Sequence, residues 1–215
     1  MSGLSTDNRA VNGFDVKPVT SERWPDLAQL FSGKGDAAGC WCMWFRVQPK
    51  TFSASGRAGN RAAMETRVAA GEEPGLIAYE DEHPVGWVSV APRRDFVRIE
   101  TNAESGAITD EGVWSVVCFF IAPGRRGEGI ASALLASAID YARAHGARVL
   151  EAYPIDRDRP ISNGDAYTGV PSLYTKAGFR EVGRFDRWAA IPEAAGSAPK
   201  RLTRPPGRPI MRLEL

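Results

Sequence analysis

The chain has 215 residues, enough for one domain with a substantial core and some peripheral segments. Its 27 lysines and arginines nearly cancel its 26 aspartates and glutamates, so no net field argues for nucleic acid or a membrane surface as the main partner. Three cysteines, an odd number, make no disulfide framework. No apolar run approaches the ~18 residues of a spanning helix and no charged-then-apolar leader opens the chain, which predicts a cytoplasmic protein without a membrane partner.

In chain order, residues 1–12 are small and polar and are expected to be disordered. Phe14 to Val19 reads as a short strand. Ser21 is placed to cap a helix that carries Trp24, Leu27, Leu30 and Phe31 and ends at Gly33. The run Gly39-Cys40-Trp41-Cys42-Met43-Trp44-Phe45-Arg46 follows. Its C-x-C could supply two thiolates to a metal, but zinc takes four ligands and no partner pair has suitable spacing. A covalent acyl-cysteine would need a histidine to activate the thiol, and the sequence positions none. A second helix is predicted from Asn60 to Ala70, with Met64 and Val68 inward. Gly75 to Tyr79 and Pro84 to Val90 form a predicted hairpin around Glu80-Asp81-Glu82-His83. A polar loop spans Pro92 to Glu111.

Val116-Val117-Cys118-Phe119-Phe120-Ile121 is a continuous run of β-branched and aromatic residues, as in a strand buried on both faces. Pro123 and Gly124 stop it, and Arg125-Arg126-Gly127-Glu128-Gly129 makes a basic, glycine-bearing turn. Ile130, Leu134, Ala138 and Ala142, with Ala131, Leu135 and Ile139, then recur at helical spacing up to His145-Gly146. A strand, a Gly/Arg turn and a helix N-terminus together suit an anion, because first-turn N–H groups lack internal partners. An ordinary tight turn with solvated arginines is the plain alternative. The turn is not a Walker loop, which needs Gly-Lys-Ser/Thr, nor G-x-G-x-x-G, since residue 132 is Ser. Downstream, Arg148 to Tyr153 reads as a strand parallel to the central one. A loop from Asp156 to Gly169 leads to a short helix from Pro171 to Ala177. Strands follow at Glu181 to Ala189 and Ile210 to Leu215, with a Pro/Gly/Ala-rich connector over 191–209.

Arg126-Gly127-Glu128-Gly129-Ile130-Ala131 resembles the acyl-CoA-binding motif of the GNAT superfamily of N-acetyltransferases, Gln/Arg-x-x-Gly-x-Gly/Ala. Leu173-Tyr174-Thr175-Lys176-Ala177-Gly178-Phe179 resembles that family's Leu-Tyr-x-x-x-Gly-Phe segment, in the family's order. The resemblance implies a mixed α/β fold over one domain, residues 13–215, of order β-α-α-β-β-β-α-β-α-β-β with a splayed central strand pair. It further implies acetyl-CoA as acyl donor, held by the turn (Arg125, Arg126, Gly127, Glu128, Gly129, Ile130, Ala131) and by the backbone of Phe119, Phe120 and Ile121.

Tyr174 falls where the family carries its tyrosine acid, and a phenol of pKa near ~10 can protonate a departing thiolate. A ring packed under the last helix is the alternative. The base is open among Glu151, Glu111 and a water chain, while His83 and His145 read as exposed punctuation. The resemblance also lays the segment between the first two helices over the acceptor, making Trp41, Trp44 and Phe45 candidate walls and Arg46 an anion anchor. An aromatic cluster closing the domain's edge competes with that reading. The expected acceptor is a small-molecule amine, acylated by direct transfer in a ternary complex, with no metal. A protein N-terminus is the second acceptor class, and a non-catalytic acyl-CoA sensor is the reading from another class. The C-terminal strand, read as exposed, leaves a homodimer open.

Overall fold

A computed structural model describes residues 13–33, 39–100, 111–156, 165–185 and 208–215. The expected disorder of 1–12 and the connector over 191–207 lie outside those residues. Seven strands make one mixed sheet: β1 (Asp15–Pro18), β2 (Gly75–Glu80), β3 (His83–Pro92), β4 (Val113–Ile121), β5 (Val149–Ala152), β6 (Arg180–Phe185) and β7 (Arg208–Glu214). Their order is β1-β2-β3-β4-β5-β7-β6, and among the described residues β4 with β5 is the one parallel pair.

Side chains alternate across the strands, and each face has its own helical cover. On one face Ile77, Tyr79 and Trp87 pack against α1 (Trp24–Phe31) and α2 (Pro49–Ala69). On the other, Leu76, Ala78, Val88 and Val116 pack against α4 (Ile130–Ala144) and α5 (Pro171–Lys176). A third cluster around Phe45, Phe96, Val117 and Tyr153 fills the space beneath the β4–β5 junction.

Several expected boundaries shift for identifiable reasons. Ser21 caps nothing: Thr20 precedes the 3-10 turn Ser21–Arg23, and the Ser21 hydroxyl donates to the Val68 carbonyl at 3.2 Å. Helix α2 starts at Pro49, ahead of the predicted Asn60, with a break at Gly56 (φ 57°, ψ −169°). Its first half buries little beyond part of Phe52, so no apolar stripe marks it. The polar stretch after Pro92 contains a 3-10 turn (Arg93–Asp95) and α3 (Val97–Glu100), and these bury Phe96 and Ile99. Arg208 and Pro209, read as connector, open β7. That final strand lies between β5 and β6, so the exposed C-terminal edge expected for a homodimer is absent; the described edges are β1 and β6.

Two features position the upper half of β4. The register with β3 runs from Ser89 opposite Cys118 to Val90 opposite Val116, leaving Val117 as a one-residue bulge. A bulge bends its own strand and sharpens the local twist. Pairing with β5 covers Val113 to Val116 and stops there. The same spot is anchored by charge. Glu151 is 1% exposed, and its carboxylate accepts from Arg212 at 2.5 Å, Arg93 at 3.3 Å and the Tyr153 hydroxyl at 2.8 Å. Tyr153 also lies 3.1 Å from the Ser115 hydroxyl, joining β4 to the network. A buried carboxylate is tolerable only when so paired. Glu151→Ala leaves two guanidiniums without their shared anion; urea denaturation should show a loss of about 3–5 kcal/mol, and Glu151→Gln a smaller one.

Candidate active site

The residues of the turn form an open cradle. Gly127 and Gly129 take φ of 87° and 86°, left-handed values that favour glycine. A Cβ built on either meets nothing within 4 Å, so the space above the backbone is clear. Among the described residues, no backbone N–H from Arg126 to Ala131 donates to a backbone carbonyl, while Ser132 and Ala133 already turn back to Gly129. These free donors stand at the positive end of the 15-residue helix α4. The helix is seated close to the sheet at Gly86, where a Cβ would lie 2.6 Å from Ile130 Cγ2 and 3.1 Å from Leu134 Cδ1.

The arginines of the turn divide their duties. Arg125 is clamped between Glu80 at 2.8 Å and Glu128 at 2.7 Å, tying the turn to the β2–β3 hairpin. Its hydrogen bond holds the Glu128 carboxyl below the usual carboxylate range. Neither is therefore a free charge for a phosphate, which corrects the role expected of the Arg125 side chain. Arg126 is exposed and makes no ion pair with the described residues. The same clamp brings the hairpin turn to this end of the sheet, so exposed His83 lies at the turn's end of the molecule and His145 at the other.

Beyond Val116 the β5-facing edge of β4 has no strand partner among the described residues, and Phe119, Phe120 and Ile121 lie on it. The 3-10 turn Asp165–Thr168 packs alongside β4. Phe119 is buried toward α4 and α5, and Phe120 packs edge-on to Phe31 on the opposite face, ring centres 5.4 Å apart. Tyr174 stands beside this edge, its ring 6.4 Å from Phe119 and 5.4 Å from Phe179. It is fully buried, and its hydroxyl donates to the Thr168 carbonyl at 2.8 Å. Burial, with Cys118 a lesser influence, pushes the phenol far above its ordinary range.

The other singled-out residues part company. Glu151 has its oxygens engaged by two guanidiniums and a phenol, which makes it a structural ion centre and not a base. Glu111 is exposed at the foot of β4, away from the turn. Trp41 and Phe45 are each 2% exposed and belong to core clusters, so they wall no open pocket. Arg46 is equally buried, donates to the Pro74 carbonyl at 2.9 Å and stacks on Phe96 at 4.6 Å. It lines a cavity of about 410 Å³ with Trp114 and His145, at the opposite end of the sheet from the glycine turn. Trp44 alone of the four remains half-buried, under the Arg98 guanidinium at 3.6 Å. Tyr167, within the stretch expected as loop from Asp156 to Gly169, is half-buried on the same cluster as Trp44. Among the described residues no three His, Cys, Asp or Glu side chains are arranged to hold a metal ion, and no helix is long and apolar enough to cross a membrane.

Comparison with known proteins agrees with this fold. A search of solved structures finds a GNAT-family acetyltransferase from Streptococcus pneumoniae, at TM-score 0.56 and 15% identity, covering 94% of this chain and 99% of that one. PaiA N-acetyltransferase from Thermoplasma acidophilum, solved in complex with coenzyme A, aligns at TM-score 0.50 and 13% identity over 94% and 99%. The yncA protein of Salmonella typhimurium, solved with acetyl-CoA, aligns at 0.51 and 14% over 94% of each chain. At such identities these likenesses establish the fold. A search of curated proteins returns no match. The model of the acetyltransferase (GNAT) family matches residues 39–161, more than half the chain. The chain belongs to the GNAT family of acetyltransferases.

The cradle is directly testable. Gly129→Val forces a branched side chain into φ 86° and fills the open space; calorimetry should show coenzyme A binding weakened about tenfold or more, with the circular dichroism spectrum unchanged.

Proposed function

We propose that the chain transfers the acetyl group of acetyl-CoA to the amine of a small molecule, directly, within a ternary complex. One observation carries this reading: the unpaired edge at Phe119 to Ile121 leads straight into a turn whose N–H groups from Arg126 to Ala131 are free. Gly127, Glu128, Gly129, Ile130 and Ala131 would hold the pyrophosphate through their amides, with Arg126 the available side-chain charge. The β4 edge would take the pantetheine arm through backbone groups, as a missing strand would. The bound donor supplies an activated thioester. Edge amides of β4 offer hydrogen bonds to its carbonyl oxygen as charge builds there.

Tyr174 is the proton donor for the leaving sulfur in this reading. It lies against Phe119, and its burial keeps the phenol protonated at neutral pH. To act, its hydroxyl exchanges the Thr168 carbonyl for the sulfur. The amine proton is assigned to solvent at the acceptor face. Trp44 and Tyr167 are the acceptor walls, and the 3-10 turn packed beside β4 narrows that face, which favours a compact amine over a polypeptide.

Thiol release from acetyl-CoA, measured across amines, amino acids, aminoglycosides and peptides, tests the proposal. Release should require both acetyl-CoA and a small amine. Tyr174→Phe should lower kcat by ~10²-fold while leaving coenzyme A affinity as it was. Arg126→Glu should weaken coenzyme A binding, and unchanged affinity would remove Arg126 from the phosphate site. Binding of coenzyme A with no release for any amine would favour a sensor and overturn the enzyme reading.

A further inference from the structure

The donor and acceptor sites leave unused the cavity of about 410 Å³ at the other end of the sheet. Its size is that of a small-molecule site, roughly 300–1,000 Å³. The loop before β2, the 3-10 turn Arg93–Asp95, the start of β4 and the end of α4 converge on it, so residues far apart in the chain share one lining.

Arg46 is the buried member of that lining, 2% exposed. Both of its hydrogen bonds leave from Nη2 and end on uncharged oxygens, the Pro74 carbonyl at 2.9 Å and the Ser89 hydroxyl at 3.4 Å. Nε has no partner, and Nη1 donates to nothing among the described residues. Burial pulls the guanidinium down to about 10, which still leaves it charged at neutral pH. Phe96 covers one face at 4.6 Å, but a ring is a weak substitute for an anion. A buried cation is costly until a carboxylate meets it.

The carboxylates of the cavity do not close on Arg46. Glu72 pairs with Arg67 at 2.5 Å, and Glu73 accepts from the Tyr141 hydroxyl. Half-buried Asp95 makes no hydrogen bond or ion pair among the described residues. The lining thus sets two arginines against three carboxylates. A ligand bearing a carboxylate alone would add to the negative excess, and one that also bears an ammonium offsets it. Beside these charges stands an aromatic wall. Ring centres lie 5.9 Å apart for Trp114 and Tyr141, and 4.1 Å apart for Tyr141 and His145. Such a wall suits an apolar or aromatic group.

We propose that this cavity binds a free α-amino acid with an apolar or aromatic side chain, its carboxylate on the Arg46 guanidinium, its ammonium on Asp95 and its side chain against Trp114. The site is separate from the glycine turn and does not depend on acetyl transfer.

Isothermal titration calorimetry on the full-length protein, without coenzyme A, against L-phenylalanine, L-tryptophan and L-leucine tests the proposal. At least one should bind, and its affinity should persist with coenzyme A saturating. The amide of that amino acid, which lacks the carboxylate, and its des-amino analogue, which lacks the ammonium, should each bind about tenfold or more weakly. Asp95→Asn should weaken the amino acid to a similar degree, while leaving the des-amino analogue, coenzyme A affinity and the melting temperature unchanged. No binding by any of the amino acids, an affinity untouched by Asp95→Asn or by loss of the carboxylate, or displacement by coenzyme A would each overturn the proposal. None of these measurements needs turnover, so acetyl transfer can fail while the site binds, and the reverse.

Discussion

A single extra residue in the central strand governs the rest of the molecule. With Val117 unpaired, β4 keeps its hydrogen bonds to β3 on both sides of the bulge while turning away from β5. Strand edges are ordinarily a liability, because their donors and acceptors seek any extended chain. Here the edge lies inside the molecule, flanked by a 3-10 turn on one side and aimed at a helix N-terminus. Glu151 sets the lower limit of that opening. By joining β5 to Arg212 of β7 and to Arg93, it commits β5 to its other neighbour. The bulge bends β4 away, and the ion centre holds β5 back.

What the turn offers to an anion lies in its backbone more than in its side chains. Arg125 is consumed by Glu80 and Glu128, so its contribution is to fix the loop against the β2–β3 hairpin. Gly86 does the corresponding work beneath, bringing helix α4 close enough for Ile130 and Leu134 to rest on the strand. Six free amides, one helix terminus and one exposed guanidinium remain. That set favours a polyanion of defined shape over a diffuse cloud of charge, since amides recognise position and a solvated arginine does not.

Much of this was legible in the residues. The change from a β-branched run to a 3.6-residue period located β4, the turn and α4, and Gly146 (φ 79°) marks the stop that His145-Gly146 announced. The hairpin was readable from its acidic turn, where Asp81 and Glu82 take positive φ. The bulge was not, because Val117 looks like any other residue of a buried strand. Nor was the fate of Glu151 visible, since its two cationic partners lie 58 and 61 positions away. The chemistry of Trp41 and Phe45 suits pocket walls and that of Arg46 an anion anchor, but burial depends on what folds over them. Arg46 is covered by Phe96, from a stretch whose polar composition hid two short helical turns. Tyr167 carried no periodic or motif signal at all.

The insertion of β7 between β5 and β6 orders events in time. Glu151 is synthesised 61 residues ahead of Arg212, its closest cation. Until that arginine emerges, β5 has β4 alone to pair with and carries a carboxylate it cannot yet bury in full. The parallel pair is thus provisional during synthesis and becomes permanent on arrival of a strand coded far downstream. The cleft that would hold the cofactor is finished last, although the helix and turn that face it are complete long before.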